Sequence, residues 1–98
     1  MSGLRELDRY TMVRVVSLTR SRDDLGGTLL HESHFTTRER GITGMIIGTN
    51  VLATGVFFVL SQRGDQPVIA AYGAEELEVR DDDALRGDLL DALRKYRV

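Results

Sequence analysis

GITGMIIGTNVLATGVFFVLSQ, from Gly41 to Gln62, contains no charged residue, while the sequence on either side is dense in Arg, Asp and Glu. Its length matches a membrane span, which needs about 20 residues. Its composition does not. Gly48, Thr49, Asn50, Thr54 and Gly55 occupy the middle, where hydrocarbon would be deepest. Gly44 and Gly48 have the spacing that lets two apolar helices pack, but the surrounding segment is poor in helix formers. Residues 45–47 (MII) and 56–60 (VFFVL) are short β-prone runs, and Gly48, Thr49 and Asn50 punctuate them. The stretch therefore reads as a β-hairpin, and no membrane partner is expected.

Neither run alternates apolar with polar. Continuous apolar runs mark strands that are buried on both faces. A small sheet with helices on one side leaves its other face open. Either helices flank both sides, or the second face meets another protein. The expectation drawn is a homo-oligomer or protein-partner interface on a sheet face containing Phe57 or Phe58, with Val56 as a further interface candidate. Phe57 and Phe58 adjoin on one strand and so point to opposite faces. One fills the core and the other meets the opposite layer.

Outward from the hairpin, residues 11–19 (TMVRVVSLT) are rich in β-branched side chains and read as the first strand. Ser21 is a candidate N-cap with acids after it, but Gly26 and Gly27 weaken a helix there, which makes Thr28 a second candidate cap. Leu29, Leu30 and Phe35 are candidate buried positions, and Arg40-Gly41 suits a helix C-terminus. Residues 42–48 and 54–62 are the hairpin strands, RGDQ at 63–66 is a turn, and 67–72 (PVIAAY) is the next strand. Residues 76–80 suit a short charged edge strand. The last helix has Asp81, Asp82 and Asp83 at its start and Arg94, Lys95 and Arg97 at its end, both matched to the macrodipole. Leu85, Leu89, Ala92, Leu93 and Tyr96 share one of its faces. The order is β-α-β-β-β-α, an α+β sandwich of ferredoxin-like type with a mostly antiparallel sheet and two main helices.

The 98 residues suit one domain over 11–98, preceded by an arm or short helix over 1–10. The net charge of −2 lacks the basic excess of a general nucleic-acid binder, so no nucleic-acid partner is expected. There is no cysteine, which fits a reducing compartment. MSGLRELDRY has no apolar core of a signal peptide, and a cytoplasmic location is expected.

Several residue groups invite a chemical reading. His31-Glu32-Ser33-His34 places two imidazoles on one helix face, but the zinc-protease pattern needs a wider spacing and no third ligand is evident. Two surface histidines are the simpler reading, and no metal is expected. Arg63-Gly64-Asp65 reads as a turn. Arg38 and Arg40 suit an anion only if they are not at a helix C-terminus, so they read as solvated, dipole-matching arginines. Three consecutive acids at 81–83 point in different directions on a helix and do not form a cage. No glycine-rich phosphate loop and no supported Ser-His-acid set is present, so catalysis is not expected and no catalytic residue is assigned.

VRVVSLT on the first strand, RERGITGMIIG leading into the second and GVFFVL on the third resemble the BLUF domain, the flavin-binding blue-light sensor. The resemblance covers residues 12–62, about half the chain, and GITG is its best match. It implies a ferredoxin-like fold with flavin held between two helices. The family's photoactive tyrosine would fall at Ser17, its flavin-binding asparagine near Thr37 and its strand glutamine near Val59, with SQR in place of LEG. The resemblance thus implies a related domain without the photochemistry. Ser17 and Thr37 are the candidate cofactor contacts if flavin is held, and otherwise no cofactor is expected. The function expected is a small non-catalytic regulatory or protein-interaction domain, with a flavin-type ligand sensor as the alternative.

Overall fold

The computed structural model describes residues 7–51 and 53–96. The elements run β1 (Met12–Val15), α1 (Glu32–Thr36), β2 (Thr43–Thr49), β3 (Val56–Arg63), β4 (Gln66–Gly73), β5 (Leu77–Val79) and α2 (Asp83–Tyr96). Single 3-10 turns lie at Asp23–Leu25, Gly27–Leu29 and Ala74–Glu76. This is the α+β class and element order read from the sequence, with β5 as the short edge strand. Of the arm expected over 1–10, residues 1–6 lie outside the described residues. Asp8 to Thr11 form a turn, in which the Thr11 amide donates to the Asp8 carbonyl at 3.1 Å. Among the described residues no helix is long and apolar enough to cross a membrane.

The uncharged stretch is a hairpin. β2 and β3 pair antiparallel, with Met45 opposite Leu60 and Thr49 opposite Phe57, and the register shifts between Ile46 and Gly48. Asn50 closes the turn region, its amide donating to the Val56 carbonyl at 2.9 Å. Gly44 in the GITG segment is a glycine for a steric reason. A Cβ there would lie 2.5 Å from the Leu60 carbonyl oxygen and 2.6 Å from a Val59 methyl. The backbone of β3 occupies the space a side chain would need.

The strand order is β4-β3-β2-β1-β5, with each neighbouring pair antiparallel. The connection through α1 therefore returns β2 alongside β1 without crossing to a parallel strand. The last two strands in the chain sit at opposite edges of the sheet, yet only Ala74–Glu76 joins them. Four residue steps reach about 14 Å at full extension, whereas opposite edges of a flat five-stranded sheet lie about 19 Å apart. The sheet must therefore be rolled. The turn at 74–76 ties the roll shut at one end: the Ala74 amide donates to the Gly55 carbonyl at 3.0 Å, and the Val16 amide to the Glu76 carbonyl at 2.9 Å.

Rolling buries the concave face in itself. Val13, Val15, Ile46, Phe57, Val59, Ala70, Tyr72, Ala74 and Leu77 form one cluster, with no residue of α1 or α2 among its buried members. The convex face is covered in two parts. Leu89 and Leu93 of α2 pack on Met12, Met45 and Leu60. Leu25 and Leu30 of the long β1–β2 connection pack on Val56 and Ala71, with Phe35 and Phe58 against them. This corrects the argument for a sheet-face interface. Val56 is 1% exposed and Phe57 5%, and Phe58 is half-buried. Both faces are covered within the chain, the concave face by curvature that apolar periodicity does not reveal.

The first helix is shorter than its sequence suggests. Gly26 (φ 132°) and Gly27 (φ 61°) break the chain into two 3-10 turns, and Leu30 is extended. Ser21 caps no helix; it lies before a 3-10 turn whose N-cap is Arg22, and there its hydroxyl accepts from the Asp24 amide at 3.3 Å while the Asp24 carboxylate accepts from the Ser21 amide at 3.2 Å. Thr28 makes no capping bond. The Gly41 amide donates to the Val15 carbonyl at 2.8 Å, so Arg40-Gly41 begins the β2 ladder and ends no helix.

Candidate functional site

The candidate positions from the sequence are not gathered in one place. Ser17 is half-buried in the segment after β1. The Thr37 hydroxyl donates to the Ser33 carbonyl at 2.6 Å and lies 3.3 Å from the Ile69 carbonyl, so it closes α1 against the edge of β4. His31 caps α1, its Nδ1 accepting from the Ser33 amide at 3.2 Å. His34 stands edge-on to Phe58, with ring centroids 5.2 Å apart, and 5.6 Å from His31. Among the described residues no three His, Asp or Glu side chains are placed to hold a metal ion. Asp82 caps α2 by accepting from the Leu85 amide at 3.0 Å. In the RGD turn, Arg63 folds back, pairing with Glu39 at 3.3 Å and donating to the Thr37 carbonyl at 2.5 Å.

Burial and the neighbouring His31 hold the His34 imidazole below its usual value of 6.5. A base with a lowered folded-state value binds fewer protons folded than unfolded, so stability rises with pH across that interval. The penalty is absent above 6.5 and grows as pH falls below it. His34→Gln is expected to give a shallower fall in Tm from neutral to mildly acidic pH than the parent, read by calorimetry at constant ionic strength. An equally steep fall would remove His34 as a source.

Arg38 overturns the expectation of a solvated arginine. Its side chain is 6% exposed and pairs with Glu76, which is fully buried. Nη1 donates to the Arg20 carbonyl at 2.8 Å. The guanidinium lies between the rings of Phe35 and Tyr72, 5.5 Å and 5.3 Å from their centroids. Its Nε has no acceptor. Glu76 also accepts from the amides of Thr19 at 2.7 Å, Arg20 at 2.9 Å and Gly73 at 2.9 Å. Arg20 in turn pairs with the adjacent Glu75, an ion pair that lowers the Glu75 carboxyl and raises the Arg20 guanidinium. The Tyr72 hydroxyl accepts from the Glu39 amide at 2.9 Å, and burial raises its phenol above the usual value. These side chains fasten the long β1–β2 connection to the turn that closes the roll. The Arg38–Glu76 pair is enclosed among these neighbours, which makes the group a clamp between the connection and the turn.

The concavity that faces solvent lies elsewhere. A cleft of about 600 Å³ separates α2 from the β3–β4 hairpin and is lined by Gln62, Asp65, Pro67, Asp88, Asp91, Ala92 and Lys95. The other cavities described are 180 to 280 Å³. Asp88, Asp91, Ala92 and Lys95 follow helical spacing and form a stripe beside the buried leucines. When Leu89 and Leu93 turn to the sheet, this neighbouring stripe looks across at the hairpin. Gln62 and Pro67 oppose each other across the β3–β4 ladder, and Asp65 is in its turn. The carboxylates of Asp65, Asp88 and Asp91 make no hydrogen bond or ion pair with a described residue. The helix stripe is not among the sites read from the sequence, although the spacing of 88, 91, 92 and 95 was a signal for it. Its pairing with residues 62–67 has no such signal, because it depends on where α2 lands.

Pro67 lacks an amide donor, and the Ile69 carbonyl and Gly73 amide of the β4 edge are taken by Thr37 and Glu76. The edge that would otherwise accept another strand is thereby blunted. Comparison with protein-family models, curated proteins and solved structures finds no match for this chain.

Proposed function

We propose that this chain is a cytoplasmic, non-catalytic regulatory or protein-interaction domain that docks another protein chain in the cleft between α2 and the β3–β4 hairpin. The observation that carries the reading is the cleft itself, about 600 Å³ and lined from both α2 and the hairpin. Its position is set by two rigid elements. The sheet faces are consumed by the fold, so the interface expected at Val56, Phe57 and Phe58 moves to this surface. The resemblance of residues 12–62 to a sensor family supports a regulatory role of the same kind, and the docked chain is a partner or a second copy.

The test combines light-scattering mass over a concentration series with affinity capture by the parent and by a variant that fills the cleft, Ala92→Trp. Self-association or a captured partner that is lost in the variant supports the reading. A monomer at every concentration, with the same proteins recovered by parent and variant, overturns it. A flavin absorption band in freshly purified protein would also overturn it, in favour of the ligand sensor.

A further inference from the structure

Building on that reading, we infer that the cleft receives a cationic segment of a partner protein, with Arg or Lys side chains laid along Asp88, Asp91 and Asp65. Among the described residues, six of the ten exposed acids outside the cleft are engaged, and the remaining four, Asp8, Asp23, Glu32 and Asp81, do not line it. Glu39 pairs with Arg63, Glu75 with Arg20, Glu78 with Arg80 and Asp83 with Arg86, while Asp24 and Asp82 cap turns. The three aspartates of the cleft come from two elements, converge on one concavity and have no such partners. Among the described residues, Lys95 is the one cation lining it.

The carboxylates are also spread out. They do not gather into a set able to hold a metal ion, which suits several cations carried on one chain better than a single ion. Pro67 and Ala92 add apolar wall between the charges. Arg and Lys match such a surface because their methylene stems cover apolar area while the charged head stays at the wet rim. Complementary charge at a partly exposed site governs partner choice and makes binding sensitive to salt.

The experiment uses the full chain and two fluorescent hexapeptides of alternating sequence, Arg-Ala and Glu-Ala, with binding followed by anisotropy and mapped by amide shifts in ¹⁵N spectra. The Arg peptide is expected to bind, to move amides at 62–67 and 88–95, and to weaken as salt rises. The double variant Asp88→Asn with Asp91→Asn is expected to lose about tenfold in affinity with an unchanged Tm, since both side chains are exposed. Shifts centred on Asp81 to Asp83 or Asp23, or undiminished binding by the double variant, would overturn the inference. Equal or tighter binding of the Glu peptide in the same cleft would overturn the cationic assignment and leave the docking reading standing. Self-association that moves the same amides would make a second copy the occupant, overturning the partner segment but again leaving the docking reading. No shift in the cleft with either peptide, together with no captured partner, would overturn both.

Discussion

Glu76→Gln is expected to cost about 3–5 kcal/mol, the range for removing one partner of a buried ion pair. The substitution preserves shape but leaves the Arg38 guanidinium buried and unpaired. It also replaces one carboxylate oxygen by an amide NH₂. Oε2 receives the amides of Thr19 and Arg20, while Oε1 receives that of Gly73. Whichever way the glutamine turns, at least one backbone donor faces another donor. Domains of this size have about 5–15 kcal/mol in total, so the variant should sit near the edge of folding. The expected Tm loss is above 12 °C, at about 4–8 °C per kcal/mol.

Arg38→Met should cost less. It leaves a carboxylate that still accepts three backbone amides, and a methionine can fill the space between Phe35 and Tyr72. Urea unfolding of both variants checks the order. An Arg38→Met variant that is less stable than Glu76→Gln would show that the cation, and not the carboxylate, organises the clamp. The double variant, Glu76→Gln with Arg38→Met, should recover part of the loss, because it removes the uncompensated charge, but not all of it, because the orphaned amides remain.

Gly44→Ala is the second large effect. The added methyl would sit 2.5 Å from a backbone oxygen and 2.6 Å from Val59. A flexible side chain could swing away at little cost, but a strand backbone cannot. Overpacking of this kind costs about 1–3 kcal/mol and sometimes more, and here relief requires β2 and β3 to separate in the middle of the sheet. A Tm drop of about 8 °C or more is expected. Gly48→Ala serves as the control in the same strand, since nothing lies within 4 Å of the position its Cβ would take. Equal losses in the two variants would remove the steric explanation.

Local pattern carried much of this protein. The Gly41–Gln62 hairpin was legible because glycine and asparagine interrupt two β-prone runs. The last helix was legible because leucines recur at 85, 89 and 93 between an acidic start and a basic end. The β1–β2 connection was misread as one helix through Arg40. Gly26 and Gly27 had already signalled the break, but the extended residue at Leu30 left room for only five helical residues, Glu32–Thr36. The proposed docking surface was half legible: the Asp88, Asp91, Lys95 stripe is a feature of α2 alone, while Asp65 and Pro67 join it only in space.

By itself, then, the sequence determined the class, the order of elements and the two apolar faces of the central strands, because these follow from side-chain spacing over a few residues. Only the tertiary structure decided that the sheet rolls, that Arg38 meets a carboxylate 38 positions away, and that α2 stands opposite the hairpin. The first of those follows from one long-range fact. The strands at opposite edges are joined by the single turn at 74–76, too short to cross a flat sheet. The curvature it forces buries one face and seals Glu76 inside.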